Sequence, residues 1–250
     1  MTEAIPMIPN EYIAIDLEMT GLNIKSDVIL EIGACHMCNG AVVNTFQALI
    51  NPHRPLSEKI IELTGITQAM CDEGRELDDI LPRLFSFIGE LPLLGHNIRF
   101  DYSFLKQAAV NRKLSFFAPC IDTLTIARKF LPADQKKTLV ALRSFYGIYS
   151  DTIHRAVDDA LAAAAVYEHL KTDYLAEDSS VFLPRAIQLN IKKQQPITVP
   201  QKEQLTRLLS HLSAENLCSE YELFISNPIA LDQLSRSEAS RMIEKLLHYN

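Results

Sequence analysis

Two acidic side chains near the start of the chain are placed to bind cations. Asp16 and Glu18 lie two residues apart within an alternating segment, residues 11–18 (EYIAIDLE). On a β-strand they would point to the same side, about 7 Å apart along the backbone, and could converge on a pair of divalent ions. The alternative is a solvated strand face, the usual place for acids. The apolar neighbours Ile15 and Leu17 disfavour that alternative, because they predict a buried strand.

A third carboxylate stands between a short apolar run and a predicted helix. The run, residues 91–97 (LPLLGHN), fits a buried strand, and the helix is expected from about Asp101. Taken alone, Asp101 is an ordinary N-cap, since Asp is among the residues favoured there. A carboxylate at the end of a strand can also serve a metal site, so both interpretations stay open at this point.

A histidine and two aspartates precede and open another predicted helix. In that helix each aspartate shares a face with small or apolar residues of the run that follows (ALAAAAV), so helical phase does not choose between Asp158 and Asp159. A carboxylate on such a face is costly unless it is paired or bound to metal. His154 lies five residues before Asp159, and we expect it in the loop ahead of the helix. A lone histidine is usually a surface or capping residue, which is the alternative here.

Apolar periodicity predicts the elements that would position these groups. Strands are expected at 11–18, 28–38 and 41–50, with shorter strands at 91–97 and 120–122. The Asn39-Gly40 pair between the second and third strands is a strong hairpin signal. Helices are expected at 57–64, 77–90, from about 101, and at 122–131, 137–146 and 155–170. Strands followed by helices that alternate with strands predict an α/β fold: a mixed sheet with antiparallel first three strands and helices on both faces.

The charge distribution predicts two modules. Residues 1–180 carry 16 basic and 24 acidic side chains, a net charge of −8, whereas residues 181–250 carry eight and seven, a net charge of +1. A weakly periodic stretch with three prolines follows the last helix of the acidic part. We therefore expect a first domain over residues 8–176, a linker over 177–200 and a small helical accessory module over 201–250.

The accessory module is expected to be helical and locally basic. Helices are predicted at 201–212 and 236–248, and Ser235 with Glu238 forms a capping box ahead of the second. Several basic residues could follow a nucleic-acid backbone: Lys192, Lys193, Lys202, Arg207, Arg236, Arg241 and Lys245. The alternative is a solvated helical surface that docks on the first domain or on a protein.

Composition excludes several classes of protein. A hydrophobic share of 48% and a charged share of 22% are globular proportions, which exclude wholesale disorder and fibrous classes. The net charge of −7 argues against a protein that coats nucleic acid non-specifically, but not against a nucleic-acid enzyme whose carboxylates bind cations. No apolar run approaches the roughly 20 residues that would cross a membrane. Five scattered cysteines predict a reducing, cytoplasmic location rather than a disulfide framework.

Taken together, these motifs resemble the DEDD-type 3′→5′ exonuclease superfamily, which includes DNA-polymerase proofreading subunits, ribonuclease T and oligoribonuclease. The matching residues are Asp16-x-Glu18 followed by Thr20-Gly21-Leu22, then His96-Asn97-x-x-Phe100-Asp101, and His154-x4-Asp159. The histidine marks the DEDDh, DnaQ-like branch, and its spacing selects Asp159 over Asp158. The resemblance covers about residues 10–172 and implies a ribonuclease-H-like fold.

The resemblance also implies a mechanism and a set of roles. Two divalent cations, Mg²⁺ or Mn²⁺, would be held by Asp16, Glu18, Asp101 and Asp159. His154 would be the general base, and the product would be a nucleoside 5′-monophosphate. Five residues would bind the substrate: Met19, Thr20, Gly21, Leu22 and Asn97. The backbone around Met19 and Thr20 would contact the terminal nucleotide, Leu22 would be a wedge against the last bases, and Asn97 would be a polar contact or a scaffold.

The choice of substrate stays open within this resemblance. The first motif, with Met19, is more like oligoribonuclease, whereas the segment after His96 is more like proofreading subunits. We expect trimming of single-stranded DNA 3′ ends, with a polymerase or another replication or repair protein as partner and no membrane. Degradation of short RNA is the alternative. A non-catalytic nucleic-acid-binding module would have lost a metal carboxylate, and none is lost; the histidine disfavours an endonuclease on the same scaffold.

Overall fold

Five strands form one mixed sheet at the centre of the first domain. The structure, a computed structural model, describes residues 8–149, 155–212, 221, 224–225 and 228–248. The strands are β1 (Glu11–Met19), β2 (Ile29–Cys38), β3 (Ala41–Leu49), β4 (Leu93–Gly95) and β5 (Cys120–Asp122). Their order is β3-β2-β1-β4-β5, with antiparallel pairing among β1, β2 and β3 and parallel pairing of β4 with β1 and with β5. The predicted α/β fold with antiparallel first three strands is confirmed.

The hairpin between β2 and β3 turns where the sequence predicts it. Asn39 and Gly40 have φ angles of 51° and 78°. These are left-handed values, which asparagine and glycine accept more readily than other residues. The turn therefore fixes the register of β2 against β3 and leaves β2 in place to receive β1 on its other side.

The helices of the first domain lie between and after the strands. They are α1 (Glu58–Thr64), α2 (Gln68–Asp72), α3 (Leu77–Ile88), α4 (Arg99–Asn111), α5 (Thr123–Phe130), α6 (Leu139–Tyr146) and α7 (Ala156–Tyr174). The sequence does not predict α2, a five-residue helix capped by the Thr67 side chain. Helix α4 begins two residues before Asp101, so Asp101 lies in the first turn and is not the N-cap. In the described part of the chain, no helix combines the length and apolar character needed to span a bilayer.

Two hydrophobic cores cover the two faces of the sheet. On one face, Ile13, Ile15 and Leu17 of β1 pack with buried residues of α3 and α4. On the other face, Tyr12 and Ala14 pack with residues of α5, α6 and α7. Side chains alternate along a strand, so the odd and even positions of β1 serve opposite layers. The even positions that follow Ala14 are Asp16 and Glu18, and they therefore face the side of the sheet that α7 covers.

The segment expected to be a linker runs over the first domain in extended conformation after a 3₁₀ helix (Ser179–Phe182). Arg185 exchanges two backbone hydrogen bonds with Cys120, at 2.8 and 2.9 Å, and so continues the sheet beyond β5. Further along, Gln194 pairs with Asn111 of α4: the Asn111 amide donates at 2.7 Å, and the Gln194 backbone amide donates back at 3.0 Å. These contacts bring the chain to the side of the domain where β1 ends.

The C-terminal module has a separate core. Helices α8 (Val199–Ser210) and α9 (Arg236–Leu247) pack together with a 3₁₀ helix (Pro228–Gln233) between them. The predicted capping box is present: the Ser235 side chain accepts from the Glu238 amide, and the Glu238 carboxylate accepts from the Ser235 amide. The division into domain, linker and module stays a prediction, since the contacts of the extended segment bind all three parts together.

Candidate active site

Strand β1 supplies two of the predicted carboxylates. Asp16 and Glu18 are half-buried and lie on the face that α7 covers. Only Ile13 and Ala14 of β1 pair with β4, so the later part of β1 has no strand neighbour on that side. The acidic end of the strand therefore opens into a cleft instead of continuing into the sheet.

Helix α7 supplies the third carboxylate because a glycine lets it approach the sheet closely. Gly33 of β2 lies opposite Asp16 in the β1–β2 ladder. A Cβ atom at Gly33 would lie 2.1 Å from backbone atoms of Ala156 and Val157, far inside contact distance. The first turn of α7 therefore rests directly on the strand, and Asp159, which belongs to that turn, lies beside Asp16.

A buried ion pair fixes the same end of α7. Glu31 of β2 is fully buried, and its carboxylate accepts from Arg155 at 2.8 and 3.2 Å and from the Ala156 backbone amide at 3.2 Å. Gln47 of β3 donates a further hydrogen bond at 2.8 Å. Burial alone would raise the pKa of Glu31, but these donors lower it below its usual value. The charge at Glu31 is thus retained in the interior and anchors the start of the helix.

Asp101 reaches the cleft from α4. The residue is 5% exposed, and its Oδ1 accepts from the backbone amide of Leu17 at 3.1 Å. That amide lies on the side of β1 that β4 leaves unpaired, so the carboxylate replaces a missing strand partner. The hydrogen bond fixes Asp101 beside Asp16 without using all of its acceptor capacity.

The carboxylates form a cluster that fits hard divalent cations. One oxygen each from Asp16, Glu18 and Asp159 lies within 4.8 Å of the others. Asp101 lines the same cleft, which has a volume of about 280 Å³. An all-oxygen, half-buried donor set of this kind matches the preference of Mg²⁺ and Mn²⁺. The arrangement leaves one side open to a ligand.

Burial and mutual repulsion raise the pKa values of three carboxyl groups in the cluster. Burial, followed by the charges of Asp101 and Glu18, raises the pKa of Asp16 well above its usual range. Burial and the charge of Asp159 raise the pKa of Glu18 to about 7. Burial raises the pKa of Asp101 to about 7 against the opposing hydrogen bonds from its own amide and that of Leu17. Bound cations would remove this repulsion.

A buried arginine also touches the cluster. Arg143 of α6 is 6% exposed, and its Nη1 lies 3.3 Å from Oδ1 of Asp159. It offsets part of the negative charge and holds one oxygen of Asp159. Arg143 is not among the residues predicted from the sequence, because a single arginine among apolar residues of a helix indicates a surface position. Glu31 is not among them either, although an acid inside the apolar run VILEIGA could have indicated it.

The predicted substrate contacts divide between two places. Met19 and Asn97 line the acidic cleft together with His96 and Phe100. Asn97 has a φ of 64°, and its backbone amide donates to Asp122 at 2.9 Å, which fixes the turn into α4. Thr20, Gly21 and Leu22 lie in the following loop and do not line the cleft; the Leu22 side chain is 81% exposed. His154, the predicted base, lies outside the described residues.

The sequence model of the RNase T family, described as an exonuclease, matches residues 13–167, the stretch that carries the four carboxylates. The chain belongs to this exonuclease family. Its membership confirms the resemblance to the DEDD-type superfamily and the predicted enzyme class.

Relatives and solved structures agree with this membership. The DNA polymerase III PolC-type protein of Clostridium perfringens is 36% identical over 157 residues, 63% of this chain but 11% of the relative. Exonuclease X in complex with 5′ overhanging duplex DNA superposes with a TM-score of 0.54 at 25% identity, over 65% of this chain and 92% of that one. The nuclease domain of 3′hExo, a DEDDh family member bound to rAMP, has the same fold, with a TM-score of 0.57 at 21% identity over 72% and 96%. The chain spans 11% to 26% of the length of three curated relatives it matches.

Proposed function

We propose that this chain is a metal-dependent 3′→5′ exonuclease that removes nucleoside 5′-monophosphates from single-stranded 3′ ends, with DNA favoured. The observation that carries the proposal is the meeting of Asp16, Glu18 and Asp159 within 4.8 Å at a cleft that Asp101 also lines. A relative that is a DNA polymerase and a structural neighbour in complex with DNA support the preference for DNA. They also support a polymerase or a replication or repair protein as partner.

Each part of the site has a role in this proposal. Asp16, Glu18, Asp101 and Asp159 would hold two Mg²⁺ or Mn²⁺ ions. When bound, these ions supply a nucleophilic water at neutral pH and stabilise the leaving oxygen. Met19 and Asn97 line the cleft and would position the terminal nucleotide, with Thr20, Gly21 and Leu22 contacting the strand beside it.

His154 would accept the proton of the attacking water. Support comes from the spacing of His154 and Asp159 in the sequence, which matches the DEDDh motif. His154→Ala is expected to lower the single-turnover rate by roughly 10²–10⁴. His211→Ala, a change at an exposed histidine of the module, is the matched control. Full activity of His154→Ala would contradict the role of base.

Digestion of 5′-labelled single-stranded DNA and RNA of matched sequence tests the activity. With Mg²⁺ or Mn²⁺ we expect a ladder that shortens from the 3′ end. The ladder should be absent with EDTA and in Asp16→Asn, but present in Asp134→Asn, which changes an exposed aspartate. Rapid cleavage of a substrate with a blocked 3′ end would indicate an endonuclease instead, and binding without cleavage would indicate a binding module.

Comparison of a dinucleotide RNA with longer DNA separates the two substrate classes. A higher kcat/KM on the dinucleotide would favour the alternative, degradation of short RNA, for which the first motif is the supporting observation.

In the described residues the cysteines, Cys35, Cys38, Cys71 and Cys120, are free. Free cysteines support a reducing, cytoplasmic location for the activity.

A further inference from the structure

The loop that follows the acidic end of β1 has a fixed shape. Residues 20–28, here the β1–β2 loop, are folded around Asp27. Its carboxylate accepts from the Thr20 hydroxyl at 3.2 Å and from the Asn23 amide at 2.8 Å. A Cβ at Gly21 would lie 2.6 Å from the same carboxylate. The Asp27 side chain therefore packs directly on Gly21, and the next residue, Leu22, is exposed to solvent.

The C-terminal module holds this loop from outside. Arg54 donates to the Ser26 carbonyl at 2.8 Å, and its Nη2 lies 2.7 Å from the Glu238 carboxylate of α9. The Ser235 hydroxyl lies 3.4 Å from the Lys25 carbonyl and donates to it. The Arg54–Glu238 pair is mostly buried, with side-chain exposures of 18% and 10%. Helix α9 is thus docked against the loop that carries the predicted contacts to the substrate.

A groove of about 380 Å³ lies between the loop, α1 and α9, and is called here the module groove. Thr20 lines the module groove, and the preceding residue, Met19, lines the acidic cleft. The two cavities share no lining residue, but two consecutive residues at the end of β1 line one cavity each. A polymer whose terminal unit lies in the cleft has the module groove as its neighbouring cavity along this strand end.

The charges of the module groove fit a polyanion. Its two acids are engaged: Asp27 folds the loop, and Glu238 pairs with Arg54. The basic side chains on its α9 wall are Arg241 and Lys245. Apolar side chains that also line the groove offer surfaces for bases: Pro55, Leu56, Ile60 and Met242. Basic side chains can contact the phosphates of a single nucleic-acid strand, and adjacent apolar surface can contact its bases.

We propose that the module groove binds the single strand on the 5′ side of the nucleotide in the cleft, with Arg241 and Lys245 contacting its phosphates. The inference rests on the proposed exonuclease function and assigns the C-terminal module a part in it. The module would then lengthen the binding site beyond the terminal nucleotide. Long strands would gain affinity from it, and a dinucleotide would gain little because it ends before α9.

Strand binding as a function of salt tests this assignment. In the Asp16→Asn background, anisotropy of a 5′-fluorescein DNA of about 15 nucleotides is measured at roughly 50–200 mM KCl. Replacing both basic residues, Arg241→Gln with Lys245→Gln, should reduce the salt slope by about 1.4, or 0.7 for each lost phosphate contact. Affinity at the lowest salt should fall about tenfold.

A matched double variant controls for net charge. Arg83→Gln with Lys113→Gln also removes two positive charges, but at exposed positions of the first domain outside the module groove. This variant should keep the wild-type salt slope. Equal melting temperatures of the two double variants establish that α9 remains docked. An unchanged slope in Arg241→Gln/Lys245→Gln, or an equal loss in the control, would overturn the assignment.

A second comparison separates the module groove from the exonuclease activity. With the carboxylates intact, the ratio of kcat/KM for the long strand to that for a dinucleotide should fall about tenfold in Arg241→Gln/Lys245→Gln. A ratio equal to that of the wild type would overturn the module groove alone. Wild-type protein that hydrolyses neither substrate would instead overturn the proposed exonuclease.

Discussion

The carboxylate of Glu31 and the guanidinium of Arg155 join the second strand of the sheet to the start of α7, with a shortest contact of 2.8 Å. Glu31 is fully buried, whereas about a third of the Arg155 side chain is exposed. Glu31 lies opposite Glu18 in the β1–β2 ladder, so the pair lies beside the half-buried carboxylates of β1. Two of the elements that build the site are therefore linked by one interaction outside it.

Glu31→Gln should destabilise the protein by roughly 2–3 kcal/mol. The change leaves Arg155 without its counter-ion, and the loss stays below that of a fully buried pair because water reaches part of the guanidinium. Urea unfolding of the metal-free protein measures the difference. Gln47→Ala, which removes only the neutral donor to Glu31, should cost about 1 kcal/mol. Equal unfolding midpoints for Glu31→Gln and the wild type would contradict the anchoring role.

Cation binding should release protons near neutral pH. Glu18 and Asp101 have pKa values of about 7, so at a pH of about 6.5 part of each carboxyl is protonated and must lose its proton to become a ligand. Titration calorimetry of Mg²⁺ or Mn²⁺ binding in buffers of different ionisation enthalpy measures the release. The apparent affinity should rise as pH is raised from about 6 to 8. Binding that is independent of buffer and pH would show that the carboxylates are already ionised.

Asp16→Asn should stabilise the metal-free protein while removing its response to cations. The pKa of Asp16 is raised in the folded state, so the folded protein binds this proton more tightly than the unfolded chain does. Its contribution to stability is full at low pH and is lost as pH rises above the ordinary range of an aspartate. At a pH of about 8 the variant should melt at a higher temperature than the metal-free wild type, by roughly 2–4 °C for each kcal/mol gained.

The control for this change is Asp134→Asn, at an exposed position outside the cluster. It should leave both the melting temperature and the Mg²⁺-induced increase unchanged. A metal-free Asp16→Asn protein that melts below the wild type at alkaline pH would show that Asp16 contributes a favourable interaction and not repulsion.

Gly33→Ala should damage the site although Gly33 touches no substrate. The added methyl would overlap backbone atoms of α7 at 2.1 Å, so the helix must move away from β2 and take Asp159 with it. A displacement of about 1 Å can cost on the order of 10² in rate, and cation affinity should fall as well. Gly40→Ala, at a hairpin φ of 78°, should lower stability without changing cation affinity. Wild-type cation affinity in Gly33→Ala would contradict the close approach.

Most strands and helices of the first domain can be predicted from the sequence, because periodicity and turn-forming residues are local properties. The alternation of residues 11–18 gives β1 and places Asp16 and Glu18 on one face, and Asn39-Gly40 gives the hairpin. Helix α2 escapes prediction because five residues are too few to show a period. Helix α4 begins two residues earlier than the sequence predicts. The turn before the helix is made at Asn97, which has a positive φ, and Asp101 is not the N-cap.

The parts of the site that the sequence does not predict depend on long-range contacts. Arg143 meets Asp159 only because α6 packs on α7, and no spacing along the chain encodes that meeting. The extended segment after α7 contacts Cys120 and Asn111 through backbone and amide groups, whose pairing leaves no apolar pattern. The docking of Glu238 on Arg54 likewise joins residues far apart in the chain.

The hydrogen bond from the Leu17 amide to Asp101 makes one backbone proton a natural reporter on the site. Whatever Asp101 binds changes the strength of that bond, and with it the chemical shift and the solvent-exchange rate of a single amide. An ¹⁵N-labelled sample could therefore follow cation and nucleotide occupancy through one resonance. The reporter needs no attached probe and leaves all four carboxylates intact.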